Sequence, residues 1–101
     1  MLYEDIPVIK NDLKNQFEIY TEGHYSIIKF EMINDTLVNL YHTEVHPSLA
    51  GKGIGNMLVL KTLKYCNVHN YKIVPTCPFV AKYIERHPEW KSIVENPLNI
   101  N

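Results

Sequence analysis

Between Tyr25 and Ile33, apolar Ile28, Phe30 and Met32 alternate with Lys29 and Glu31, the period of two that marks a strand with one buried face. Asn34-Asp35 supplies turn chemistry, because both side chains hydrogen-bond the local backbone. Leu37 to Val45 then reads as an antiparallel partner that closes a hairpin. Simple alternation on it puts Leu40, His42, Glu44 and His46 on one face and Tyr41, Thr43 and Val45 on the other. Upstream, Gln16 to Thr21 forms a short strand, followed by a loop at Glu22-Gly23-His24, and the first dozen residues, with Pro7, read as an irregular arm. Past His46-Pro47-Ser48-Leu49 the period changes. Ala50-Gly51-Lys52-Gly53-Ile54-Gly55 opens a helix on which Ile54, Leu58, Thr62 and Cys66 form one row, flanked by Val59 and Leu63. That helix fades near His69-Asn70. Tyr71 to Val74 is a short strand stopped by Pro75. Pro78 suits the first position of a second helix, which makes Cys77 its N-cap and ends the helix before Pro88. Glu89 to Asn101 is a weakly patterned tail. Three antiparallel strands, a helical crossover to a parallel fourth and a closing helix make an α+β fold.

Composition narrows the class. The chain has 101 residues, 46% of them hydrophobic, without repeats or linkers, so residues 1–101 are expected to form one domain. No apolar run reaches the ~18 residues of a membrane span, and the first residues lack the pattern of a signal peptide. Ten basic against 11 acidic residues leave a net charge of -1, so no global positive field attracts nucleic acid or an acidic membrane. Two cysteines are too few for a disulfide scaffold and suit a reducing cytoplasm. Neither composition nor pattern sets an oligomeric state.

The glycine-rich turn carries the first candidate chemistry. Gly51, Gly53 and Gly55 remove side chains where the first N–H groups of a helix lack internal partners. Those N–H groups and the helix dipole suit a phosphate or pyrophosphate, and Lys52 adds a mobile charge. The spacing is neither a dinucleotide-binding fingerprint nor a P-loop, and a plain glycine-rich helix start fits it as well. The second candidate is Cys77: a thiol at a helix N-cap is placed for reactivity, although a small half-buried residue beside a turn is an equally simple reading. Cys66, on the apolar row, belongs to the core. Glu44, at a strand end beside the turn, is a candidate general base or an ordinary surface carboxylate. His42, Glu44 and His46 have a metal-like spacing, but no further ligand is identifiable and no metal is expected. Tyr83 is a candidate proton donor from the last helix or a core residue with a satisfied hydroxyl.

Taken together, Tyr41-His42-Thr43-Glu44-Val45-His46-Pro47, Gly51-Lys52-Gly53-Ile54-Gly55 and Val74-Pro75-Thr76-Cys77-Pro78-Phe79-Val80-Ala81-Lys82-Tyr83-Ile84, with His87-Pro88-Glu89, resemble the small, single-domain branch of the GNAT superfamily of N-acetyltransferases. The resemblance covers residues 16–90 and implies a minimal GNAT-like α+β fold with acetyl-coenzyme A as cosubstrate. It places the pyrophosphate on the backbone of Gly51, Lys52, Gly53, Ile54, Gly55 and Asn56. It places the pantetheine arm along Glu44, Val45 and His46, and the acetyl group near Cys77, Phe79 and Tyr83. The implied activity is acetyl transfer to a primary amine, either small or carried by a protein. Glu44 would act as base, an N–H near Val45 would polarise the carbonyl, and Tyr83 would protonate the leaving sulfur. A variant route uses Cys77 as nucleophile. Two departures from the family pattern stand out. Ala50 occupies a position where larger members have Arg or Gln, and the helices that wall their acceptor site are absent. The alternative is a non-catalytic acetyl-coenzyme A sensor or accessory module.

Overall fold

The computed structural model describes residues 5–95. Residues 1–4 of the arm and 96–101 of the tail lie outside them. Five strands form one sheet in chain order: β1 (Ile9–Asn11), β2 (Gln16–Thr21), β3 (His24–Met32), β4 (Leu37–Glu44) and β5 (Lys72–Pro75). All pairs are antiparallel except β4 and β5, which lie parallel across the helix α1 (Ile54–Val68). The second helix, α2 (Pro78–Arg86), follows β5, and a 3-10 turn (Pro88–Ile93) closes the described chain. The arm is therefore not wholly irregular. The Asn11 side chain accepts from the N–H groups of Leu13 and Lys14 and folds the chain back, so Ile9–Asn11 pairs with Gln16–Glu18. The first turn of the tail is ordered too: Ile93 is buried, and Glu95 N–H donates to Ile73 O (2.8 Å).

Local chemistry sets the hairpins. Glu22 (φ 51°) and Gly23 (φ 83°) both adopt positive φ between the paired Thr21 and His24, a two-residue turn whose twist matches that of the strands. At the next turn Asn34 Oδ1 accepts from Thr36 N–H, as Asn-Asp chemistry requires.

Register departs from the simple alternation at one place. Lys29 faces His42 but Phe30 faces Leu40, so β4 carries one extra residue, Tyr41. This is a β-bulge, which reverses the facing of everything beyond it. Leu40 and Thr43 share the face of Ile28 and Phe30, while His42 and Glu44 share the face of Lys29 and Ile27. Leu40 therefore does not share a face with His42 and Glu44.

The predicted helix row is buried in full: Ile54, Leu58, Val59, Thr62, Leu63 and Cys66. It packs with Phe17, Ile19, Ile28, Phe30, Val38, Leu40 and Ile73 of the sheet, and α2 adds Val80, Tyr83 and Ile84 to the same core. Each apolar side chain so buried contributes about 2 kcal/mol. Leu58→Ala should therefore cost about 3 kcal/mol in urea unfolding, since it leaves a cavity. Val68→Ala, at a position 74% exposed on the same helix, should cost under about 0.5 kcal/mol.

Candidate active site

The site begins where β4 and β5 part. Their pairing ends at Leu40↔Pro75, although β4 runs on to Glu44. The last bond across the apex comes from Cys77 N–H to Leu40 O (2.9 Å), and Thr76 Oγ1 donates to the same carbonyl (3.3 Å). Beyond it the backbone from His42 to Glu44 is paired with β3 on one side and borders a gap on the other.

The start of α1 lies beside that gap. Gly53, its N-cap, holds φ 74°, a left-handed conformation that glycine adopts without strain, and it supplies no side-chain cap. The first turn contains no acidic residue and no side-chain cap, so the N–H groups of Ile54, Gly55 and Asn56, which an α-helix leaves without internal partners, meet no capping side chain. They line a recess of about 260 Å³ together with Val45, Leu49, Ala50, Gly51, Gly53 and Phe79. Gly55 has a different reason to be glycine. A Cβ there would lie 2.8 Å from Phe79 Cζ and 3.4 Å from Val45 Cγ2. Its absence lets the Phe79 ring of α2 reach across the gap onto α1 and the end of β4.

Lys52 is not the mobile charge that the sequence suggests. Its Nζ lies 2.7 Å from Glu22 Oε1 in the β2–β3 turn. A second contact ties the same hairpin to the loop: the His24 and His46 rings stack with centroids 3.7 Å apart. His46 Nδ1 also accepts from Ser48 N–H, capping the 3-10 turn Pro47–Leu49.

Cys77 is the N-cap of α2, with Pro78 at the first helical position as the sequence predicts. Its side chain is 4% exposed, and Sγ lies 3.4 Å from Thr43 Oγ1, turned inward by the bulge. Glu44 projects from the opposite face. Its Oε1 lies 3.2 Å from His42 Nε2, and the carboxylate lines a groove of about 580 Å³ shared with Glu18, Tyr25, Ile27, Val45 and His46. Tyr83 sits one turn beyond Phe79 on α2, its ring stacked on His87 at 4.2 Å. Burial, aided by the Glu89 charge, raises the Tyr83 phenol above its ordinary value and keeps it protonated.

The predicted residues thus fall into three groups. The glycine turn, Val45 and Phe79 meet around one recess. Cys77 lies at the apex of the gap, and Glu44 borders the neighbouring groove. Tyr83 is not among the residues lining either hollow. Among the described residues, no group of three or more His, Cys, Asp or Glu could hold a metal ion, and no helix is long and apolar enough to cross a membrane. Thr43, Glu22, His24 and Glu18 also belong here. Alternation alone turns Thr43 away from Cys77, and the other three arrive from the β2–β3 hairpin, distant in sequence.

The sequence model of the GCN5-related N-acetyltransferases matches residues 16–93. The chain belongs to this acetyltransferase family. It is 27% identical over 92 residues to the protein NATD1 of Gallus gallus, covering 87% of this chain and 84% of that one. It is also 27% identical to the NATD1 of Mus musculus over 77 residues, 74% of this chain and 70% of that one. The solution structure of a GCN5-like protein from Staphylococcus aureus has the same fold, with a TM-score of 0.65 at 20% identity, covering 96% of this chain and 98% of that one. The α+β architecture read from the pattern is that of the family.

The two thiols, both free, differ in setting. Burial pushes Cys66 up from 9.0 to about 12, with Lys10 opposing weakly. The unfolded chain loses this proton first, so the stabilisation is whole below about pH 9 and drains away as pH rises toward 12. Cys66→Val should therefore flatten the alkaline fall in the urea midpoint. An equally steep fall in both proteins would show that Cys66 does not drive it.

Proposed function

We propose that residues 1–101 act as one acetyl-coenzyme A-dependent unit that acetylates a primary amine. The observation that carries this reading is the parting of β4 from β5 beside the uncapped N-terminus of α1. It offers an extended ligand a strand edge for its amide groups and a ring of N–H donors for its phosphates. Gly51, Lys52, Gly53, Ile54, Gly55 and Asn56 would hold the pyrophosphate of the cosubstrate. The backbone at Val45 and His46 would bind the pantetheine arm, and Phe79 would pack against it.

Transfer needs an unprotonated amine. Glu44 takes a proton from the ammonium, directly or through water, and the freed nitrogen attacks the thioester carbonyl. A backbone N–H near Val45 stabilises the oxyanion. As the C–N bond forms and the C–S bond breaks, the nitrogen sheds its second proton to water, which in turn refills the Tyr83 phenol once it has given up its own. Tyr83, held protonated by burial, supplies one to the departing thiolate. Cys77, buried against Thr43, favours direct attack over a relay through its own thioester; its place at the apex is that of a positioning group.

Calorimetry with acetyl-coenzyme A tests the binding half. Gly53→Asn keeps a residue that tolerates left-handed backbone, whereas Gly53→Asp also sets a carboxylate against the pyrophosphate. The aspartate should bind at least about a hundredfold more weakly than the asparagine, because like charges in contact cost several kcal/mol. Equal binding would move the site elsewhere.

The catalytic half is read by release of free coenzyme A thiol across a panel of amines, with intact-protein mass spectrometry alongside. Glu44→Gln should lower turnover by about a hundredfold or more with little change in acetyl-coenzyme A affinity. An acetyl adduct abolished by Cys77→Ser would instead establish the thioester route. Binding without turnover of any amine would favour the sensor.

A further inference from the structure

The groove beside Glu44 meets the proposed pantetheine path at Val45 and His46, and its other walls are specific. Cross-strand pairing sets Glu18 of β2, Ile27 of β3 and Glu44 of β4 in one row on the same face of the sheet. The two carboxylates therefore stand two strand spacings apart, roughly 10 Å between backbones. Half-buried Ile27 forms the floor between them, and Tyr25, 59% exposed and packed on Tyr20 at 4.8 Å, forms an aromatic wall.

Glu18 is fixed in place. The side-chain amides of Asn11 and Gln16 both donate to its Oε2, and neither uses Oε1. Gln16 is itself buried. At the other end Glu44 takes His42 on Oε1. Lys14 is the one lysine of the lining, against two carboxylates, and it is exposed at the β1–β2 turn. Val45 lines both this groove and the recess at the glycine turn, so the two hollows meet at the end of β4.

Building on the proposed acetyl transfer, we infer that the groove takes an extended aliphatic amine carrying a second positive charge, a linear terminal diamine being its simplest form. One ammonium meets Glu44, the methylenes lie over Ile27 and along Tyr25, and the far ammonium reaches the open oxygen of Glu18. The reacting ammonium gives one proton to Glu44, the nitrogen forms the C–N bond as the C–S bond breaks and sheds a second proton to water, and the leaving thiolate takes one from Tyr83. The products are the mono-N-acetyl diamine and free coenzyme A. The far ammonium is too distant to react and sets only the affinity and register of the chain.

The experiment pairs binding with turnover. Linear alkane diamines from propane to octane, the monoamines of equal length and the corresponding ω-amino acids are titrated into isotope-labelled protein, with and without coenzyme A. Saturable shifts should centre on Tyr25, Ile27 and Glu44. The best diamine should bind about tenfold tighter than its monoamine, the worth of one charge-assisted contact. A similar ratio should appear in kcat/KM, and Glu18→Gln should bring it close to one. In the unmodified protein the ratio should also shrink as salt rises, which tests the charge contact even if the variant folds poorly. Equal use of monoamines and diamines, preference for the amino acids or shifts on another face would overturn the inference while leaving acetyl transfer standing. Loss of acetyl-coenzyme A binding would sink the transferase reading instead, and the amine titration alone would then judge the groove.

Discussion

One extra residue in β4 governs the chemistry of this fold. Because Tyr41 has no partner on β3, every side chain beyond it faces the side opposite to that set by the regular pleat. Thr43 turns inward to meet Cys77, and Glu44 turns outward to the groove. Without the bulge the two would exchange places: a carboxylate would be driven into the core, and the open face would lose its proposed base. Burying that carboxylate unpaired would cost several kcal/mol, far more than a local break in the ladder.

The glycine turn depends on the same geometry. Once β4 has parted from β5, something must brace its free end, and the bracing comes from three sides. Phe79 reaches over Gly55 to Val45, His24 stacks on His46, and Glu22 pairs with Lys52. The last two ties come from the β2–β3 turn, where positive φ at Glu22 and Gly23 makes the reversal tight. A gap so braced keeps an open strand edge from collapsing, as preorganised binding requires.

What the sequence reveals follows the range of each interaction. The α1 row and the Cys77-Pro78 cap are legible because their determinants lie within one or two helical turns. The glycine turn is legible as a helix start because its determinants, Gly51 and Gly53 at positive φ, are local. The bulge is not, because this strand carries polar and apolar groups on both faces, and only the partner strand shows that a residue is extra. The strand Ile9–Asn11 is hidden for a related reason: three residues carry no period, and pairing with β2 alone makes them a strand. Lys52 reads as free because its partner lies thirty residues away across a hairpin.

The absence of acceptor-side helices has its counterpart in the division of the sheet. Among the described residues, the core lies on the face packed by α1 and α2. Around β2 to β4 the other face is lined by strand and loop residues alone, with Glu18 and Glu44 spaced by the width of β3. Larger walls would fix an acceptor by shape. For the proposed diamine, strand spacing itself would do the measuring, since two carboxylates on adjacent pairings cannot drift apart while the ladder holds. The pairing of β2, β3 and β4 can thus set a defined distance between charges from the sheet alone. Val45, touching both hollows, is where the two ligands of the proposed reaction would meet.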